Sequence, residues 1–347
     1  MSSFAKRDKS IDFIKGIAIF SVVLAHCWFI SDELFEFIYS FHMPLFFCIS
    51  GYLFNTKKKY GELLISKIKT LIIPYILFFV FSFIVSVFIL DRDVTILEGL
   101  SYMLQGGKFC SRVCNWPLWY LLLFFIASNI FYFIVKIRFV LIRYMIMSGL
   151  FVASLPIQNY CNNTFTDEFV PFAFNALCPA LFFMLVAFEF KIIKNNIGSK
   201  INVGVKRILT PITTIGLFMA GLILAAGNTD QIIRLKSYAF LIYPLLLIPL
   251  IVLVCQGCQN KYIVHLGNNS LIILGTHRVL IFVLTECFQL KKVLDYLHIS
   301  SLAGGILVSC FTILVICVTK ELICAVIKLC KKSSVHKSKH LVKNTYE

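Results

Sequence analysis

A charged or imidazole side chain inside apolar sequence needs a chemical reason, because hydrocarbon offers it no hydrogen-bond partner. The stretch richest in such residues runs from Ile11 to Tyr52; it begins IDFIKGIAIFSVVLAHCWFI and ends FHMPLFFCISGY. Read as a helix, its first part sets Lys15 and His26 eleven residues apart, three turns plus about 20°, so both fall on one stripe. Asp12, three residues before Lys15, is placed to pair with the ammonium. The stripe reads acid, base, about 16 Å of apolar helix, then imidazole. Ser31 to Glu36 read as a short acidic turn, and the second apolar run then reaches His42, followed by Met43 and Pro44. If the two runs form a membrane hairpin, the two imidazoles sit at similar depth and face one site. Histidine is the side chain whose ordinary proton affinity suits acid–base work at neutral pH, and it can also act as a nucleophile.

Two further clusters stand out. In GNNSLIILGTHRVL, residues 267 to 280, the first four residues read as a turn and helix cap. His277 and Arg278 then fall mid-span, where an arginine costs at least about 2.5 to 3.5 kcal/mol unless it faces protein or water. That placement implies a polar interior. The other cluster is NTKKKYGELLISKIKTLIIPY, in which Lys57, Lys58 and Lys59 read as charge at a membrane face, while Lys67 and Lys69 lead directly into an apolar run. Trp116, Trp119 and Tyr120 read as interfacial anchors.

These residues resemble the multi-spanning bacterial acyltransferases called acyltransferase family three, which decorate surface polysaccharides with acetyl or related groups. That family carries a basic residue, ten residues and then His on its first helix, matched by Lys15 and His26, although most members have Arg in the first place. Its second segment is similar to Phe41, His42, Met43, Pro44, Phe46, Phe47, Ser50, Gly51 and Tyr52. A late span with Gly-x-x-Ser-Leu and a following His is matched by Ser270 and His277. The resemblance implies transfer of an acyl group, from acyl-CoA and most simply acetyl-CoA as co-substrate, to a hydroxyl of a glycan acceptor. His26 is then the base, and His42 or Arg278 steadies the oxyanion. Direct transfer and an acyl-imidazole intermediate on His26 both remain open. Asp32, Glu33 or Glu36 is a candidate carboxylate to orient His26. The family's paired arginines, proposed to hold the donor's phosphates, correspond to Lys67 and Lys69, with K-x-K in place of R-x-x-R; lysine serves there as a point charge. Lys15 lies along the path from those lysines to His26.

The elements that must position these groups are membrane helices. The chain is 59% hydrophobic and 14% charged, against about 25% charged for soluble domains, and its mean hydropathy is +0.87. Ten runs are long enough to cross or enter a bilayer: 11–30, 37–54, 71–90, 117–135, 139–155, 169–190, 208–226, 237–256, 269–288 and 302–327. They are continuously apolar, which favours helices over the alternating strands of a barrel. The expected fold is all-α, a polytopic helical bundle of about ten transmembrane helices. Glu189 reads as ending its span at the interface. An even number of spans puts both termini on one side, and that side collects 23 of the 33 lysines and arginines against 7 opposite. By the positive-inside rule both termini are cytoplasmic, and the first run, lacking a cleavage site, is a retained span in the inner membrane.

Residues 1–330 form the transmembrane acyltransferase domain and 331–347 a basic cytoplasmic tail. The net charge of +16 follows from topology and from that tail resting on anionic lipid, so no nucleic-acid partner is expected. Most cysteines lie in apolar runs as small hydrophobes; Cys255 and Cys258 lack a second pair at zinc spacing, so no metal is expected. Cys110 and Cys114 share a loop and could bridge. Two other classes of function fit a polar bundle interior: a flippase for lipid-linked sugar, and a non-catalytic component of a glycan export complex.

Overall fold

A computed structural model of the chain describes residues 8–27, 29–165, 170–198, 238–255 and 257–343. Among these there are helices and turns and no strand. In order they are α1 (Lys9–Ala25), α2 (Asp32–Tyr52), α3 (Tyr60–Phe88), α4 (Ile96–Gln105), α5 (Trp119–Lys136), α6 (Val140–Thr164), α7 (Leu177–Gly198), α8 (Ala239–Val254), α9 (Lys261–Asn268), α10 (Ser270–Glu286), α11 (Leu290–Tyr296) and α12 (Ser301–Lys343).

Local chemistry sets many of their ends. Asp8 caps α1 by accepting from Ser10 N at 2.9 Å, and Thr95 with Glu98 forms a reciprocal capping box on α4. The third helix carries a π turn at Ile68–Ile72, immediately before Pro74. Proline has no N–H to return to the residue four back, and a widened turn absorbs the missing bond.

Six helical stretches among the described residues are long and apolar enough to cross a bilayer: Asp32–Tyr52, Tyr60–Phe88, Trp116–Lys136, Val140–Cys161, Pro171–Asn196 and Ser301–Lys328. Among the described residues this is fewer than the ten expected. The first ends at Ala25 after 17 residues, and α8 is a 16-residue helix. The run expected at 269–288 belongs to a broken helix in which α9 and α10 meet at 81° around Asn269, giving a seventh span if the pair counts as one. The run at 208–226 lies outside the described residues. Membrane residence shows in what α3 leaves uncovered: Ile73, Ile76, Leu77, Val80, Phe81, Ile84 and Phe88 recur every three or four residues and are exposed. Such a stripe is stable only against lipid or another apolar surface.

The interior is built by close backbone approach. α1 lies against α9 with Gly16 facing the backbone of Ile263 and Gly267 facing that of Asp12; a Cβ at either position would overlap the opposed carbonyl. Small residues of this kind let membrane helices pack where no hydrophobic effect drives them together. Ala18, Ile19, Val23, Leu45, Leu121 and Ile273 fill the centre and are fully or almost fully buried. Two sequence expectations change here, and the open question of a Cys110–Cys114 bridge is answered. Asp32 to Glu36 are the first turn of α2, capped by Ser31, and not a separate turn. Glu189 does not end at an interface: it is buried and paired with Arg143, Nε to Oε1 at 2.5 Å and Nη2 to Oε2 at 3.3 Å. Each of the two charges offsets the other's desolvation between α6 and α7. Cys110 and Cys114 are free thiols, with Cys110 Sγ 3.7 Å from the Tyr75 hydroxyl.

Candidate active site

α1 stops at Ala25, and His26 is its C-cap, with φ −91° and ψ −2° and its N–H bonded back to Val22 and Val23. A helix end leaves carbonyls without intrahelical donors and carries partial negative charge. Arg278 meets both needs, donating from Nη1 to the His26 carbonyl at 2.6 Å. Its guanidinium lies over Phe282 at 4.7 Å and Trp116 at 5.6 Å, so aromatic faces supply what the apolar interior lacks. One residue earlier on α10, His277 brings its Nε2 to 2.7 Å from His26 Nδ1. The other nitrogen of His277 is 2.8 Å from the Ile273 carbonyl.

The second helix supplies the opposite wall. Tyr39 places its hydroxyl 3.1 Å from His26 Nε2, and one turn on, His42 stands with its ring centre 4.9 Å from that of Tyr39. His42 Nδ1 is 2.7 Å from the Ile38 carbonyl. Asn115 ties the loop before α5 to α10, donating to the Gly275 carbonyl at 2.8 Å and to Ser82 Oγ at 2.7 Å. That bond sets Trp116, whose ring meets His26 edge-on at 5.6 Å. The walls enclose a cavity of about 370 Å³ lined by His26, Tyr39, His42, Trp116, Trp119 and Tyr120 among others. This size lies within the range of small-molecule sites.

Of the residues expected from sequence, His26, His42, His277 and Arg278 thus come together at or beside one cavity. Lys67 stands apart yet connected: its Nζ lies 4.2 Å from the Phe124 ring centre, Phe124 stacks on Tyr120 at 5.5 Å, and Tyr120 lines the cavity. Lys69 is exposed on the same helix. Lys15 pairs with Asp12 at 3.6 Å, as the spacing predicts, but is not among the cavity-lining residues. The expected carboxylate partner of His26 does not materialise among the described residues. Asp32 and Glu33 are exposed at the start of α2, Glu36 is half-buried on the same helix, and the ring nitrogens of His26 are held by His277 and Tyr39 instead. Sequence alone does not single out Tyr39, although its place three residues before His42 puts the two on one helical face. Trp116 reads as a belt anchor in sequence; only the tertiary fold sets it against His26.

An imidazole pair with a hydroxyl at its open end, beside a buried guanidinium, can move a proton and stabilise developing negative charge. The profile of a family described as an acyltransferase domain matches residues 8–321. A nodulation protein, NolL, of Sinorhizobium fredii (strain NBRC 101917 / NGR234) is 47% identical over a 57-residue alignment that covers 14% of this chain and 16% of that protein. No solved structure matches the chain.

Proposed function

The chain belongs to the membrane acyltransferase family three, and on that premise we propose that it is an O-acyltransferase that moves an acyl group, in the first instance acetyl, from acyl-CoA to a hydroxyl of a surface or exported polysaccharide or its lipid-linked precursor. The observation that carries this reading is the meeting of His26 and His277 at 2.7 Å beside an aromatic-lined cavity. The His26 imidazole takes the acceptor's proton as the hydroxyl attacks the thioester carbonyl. Arg278 and His42 are the groups nearest to hand for the oxyanion. The aromatic walls suit the apolar faces of a sugar ring as well as an acyl chain.

The chain sits in the inner membrane with both termini cytoplasmic, and the donor's phosphates rest on the cytoplasmic side at Lys67 and Lys69. The Phe124–Tyr120 stack supports this route, because it joins Lys67 to the cavity by a line of rings along which an uncharged thioester arm can lie. Lys15, whose charge is shared with Asp12, is the further cation that this reading assigns to the donor. The basic tail rests on anionic lipid, and no nucleic acid is involved.

Mass analysis of the surface glycan from cells with and without the gene identifies the acceptor through the group that disappears. The decisive test uses purified protein, acetyl-CoA and that glycan, comparing the wild type with His26→Ala. The expected result is loss of transfer with wild-type thermal stability. Undiminished transfer by a folded His26→Ala protein removes His26 from the chemistry, whereas absence of transfer by the wild type favours a transport or assembly role.

A further inference from the structure

We infer that His277 is a positioning residue, which holds His26 in the single tautomer that leaves Nε2 free as the base; this rests on the acyl-transfer reading above. The order of donors and acceptors is set at the far end of the pair. His277 Nδ1 lies 2.8 Å from the Ile273 carbonyl and 3.0 Å from that of Leu274. A carbonyl oxygen can only accept, so Nδ1 carries the proton. A neutral imidazole has one N–H, which leaves His277 Nε2 as an acceptor. His26 Nδ1, 2.7 Å away, therefore donates. Its own Nε2 then holds the lone pair, and the Tyr39 hydroxyl donates to it at 3.1 Å.

The rings are arranged for this bond. Their planes differ by 6° and their centres are 5.0 Å apart, while the facing nitrogens are only 2.7 Å apart. The pair is thus edge to edge in nearly one plane, the geometry of a straight N–H···N bond, and not a face-to-face stack. Arg278 fixes the His26 backbone through its carbonyl, and a turn of the imidazole would break its contacts to His277, Tyr39 and Trp116 at once. His42 shows the same logic on its own helix, with Nδ1 bonded to the Ile38 carbonyl and Nε2 left as an acceptor.

In the reaction, the acceptor hydroxyl takes the place of the Tyr39 hydroxyl at His26 Nε2. The acceptor oxygen forms a C–O bond to the acyl carbon, its proton passes to Nε2, and the C–S bond breaks with its electron pair on sulfur. The proton then goes from Nε2 to the thiolate, giving the ester and free thiol. His277 takes no proton in this sequence. It keeps Nδ1–H bonded while His26 carries positive charge, as the orienting carboxylate of a hydrolase triad does.

Two measurements test it. In ¹⁵N-histidine-labelled protein in bilayers, solid-state NMR should show His26 and His277 protonated on Nδ1 and bare on Nε2, with the His26 signal assigned by its loss in His26→Gln. A His26 proton on Nε2, or a doubly protonated His277, overturns the proposal. In kinetics, His277→Phe removes the acceptor, whereas His277→Gln sets an amide oxygen near the position of Nε2. His277→Phe should lower kcat by about 10²-fold to 10⁴-fold with the KM for acetyl-CoA changed less than about twofold, and His277→Gln should recover to within about tenfold of wild type. A folded His277→Phe protein with wild-type kcat overturns it. If that variant does not fold, the wild-type NMR result decides alone. Absence of any transfer by the wild type refutes the acyl-transfer reading, while the tautomer is still read from the spectrum.

Discussion

His26 occupies a helix end, and that position explains why two different side chains converge on it. Its carbonyl, released by the end of α1, draws the Arg278 guanidinium, and its ring projects between His277 and Tyr39. If the Tyr39 hydroxyl only holds the acceptor's place, Tyr39→Phe should keep kcat within about threefold and lose no more than the ~0.5 to 1.5 kcal/mol of one hydrogen bond in stability. A hundredfold fall in kcat, measured with saturating acetyl-CoA, would give the hydroxyl a proton-carrying part. The two donor-side lysines should separate. Lys67 lies on Phe124 and Lys69 points to the exterior, so Lys67→Gln should raise the KM for acetyl-CoA more than Lys69→Gln, and by less as salt is added. Equal, salt-insensitive KM values for both variants would reduce these lysines to topology signals.

At the scale of elements, the site depends on α1 being pressed against the broken α9–α10 pair. The bend at Asn269 lets α9 run along α1 while α10 turns to deliver His277 and Arg278 to the end of the same helix. Lys320 of α12 donates to Asn269 Oδ1 at 2.5 Å, and Asn269 donates to the His265 carbonyl at 2.9 Å, so the break is held by side chains as well as packing. Gly267→Ala would drive a methyl group into the Asp12 carbonyl, and the expected loss is about 1 to 3 kcal/mol, with activity falling alongside as His277 shifts. Gly149 is the control: it lies inside α6 with open space where an added methyl group would stand, and Gly149→Ala should stabilise by about 0.5 to 1 kcal/mol. Thermal unfolding in detergent checks both. Equal responses would mean that the α1–α9 approach is not tight.

Over the whole molecule, the apolar stripe on α3 and the similar one on α12, with Leu307, Phe311, Leu314, Val318 and Leu322 exposed, turn outward to lipid. Polar chemistry is kept to the enclosed centre. Under the proposed orientation the donor's charged end and the acceptor stand on opposite faces. Sealed proteoliposomes of known orientation, with acetyl-CoA only on the face bearing the termini and glycan only on the other, should therefore support transfer. Transfer seen only when both share one compartment would overturn the route.

Composition and pattern alone establish an all-helical membrane protein, and the positions of Lys15, His26, His42, Ser270 and His277 point to the acyltransferase family without any knowledge of the fold. Those features are local: apolar runs of bilayer length, and residue types that hydrocarbon rejects. The Asp12–Lys15 pair is equally legible, because helical spacing determines it. Contacts between distant segments are not legible. His26 and His277 are 251 residues apart, and no periodicity announces that their ring nitrogens will meet at 2.7 Å. The acids close in sequence to His26 suggest a carboxylate partner, whereas the fold carries Asp32 and Glu33 to the surface. Likewise Glu189, which reads as an interface residue, is buried against Arg143 only when α6 meets α7. Helix breaks and backbone approaches of glycines decide such meetings. They depend on how several helices pack at once, so only the tertiary structure could supply them.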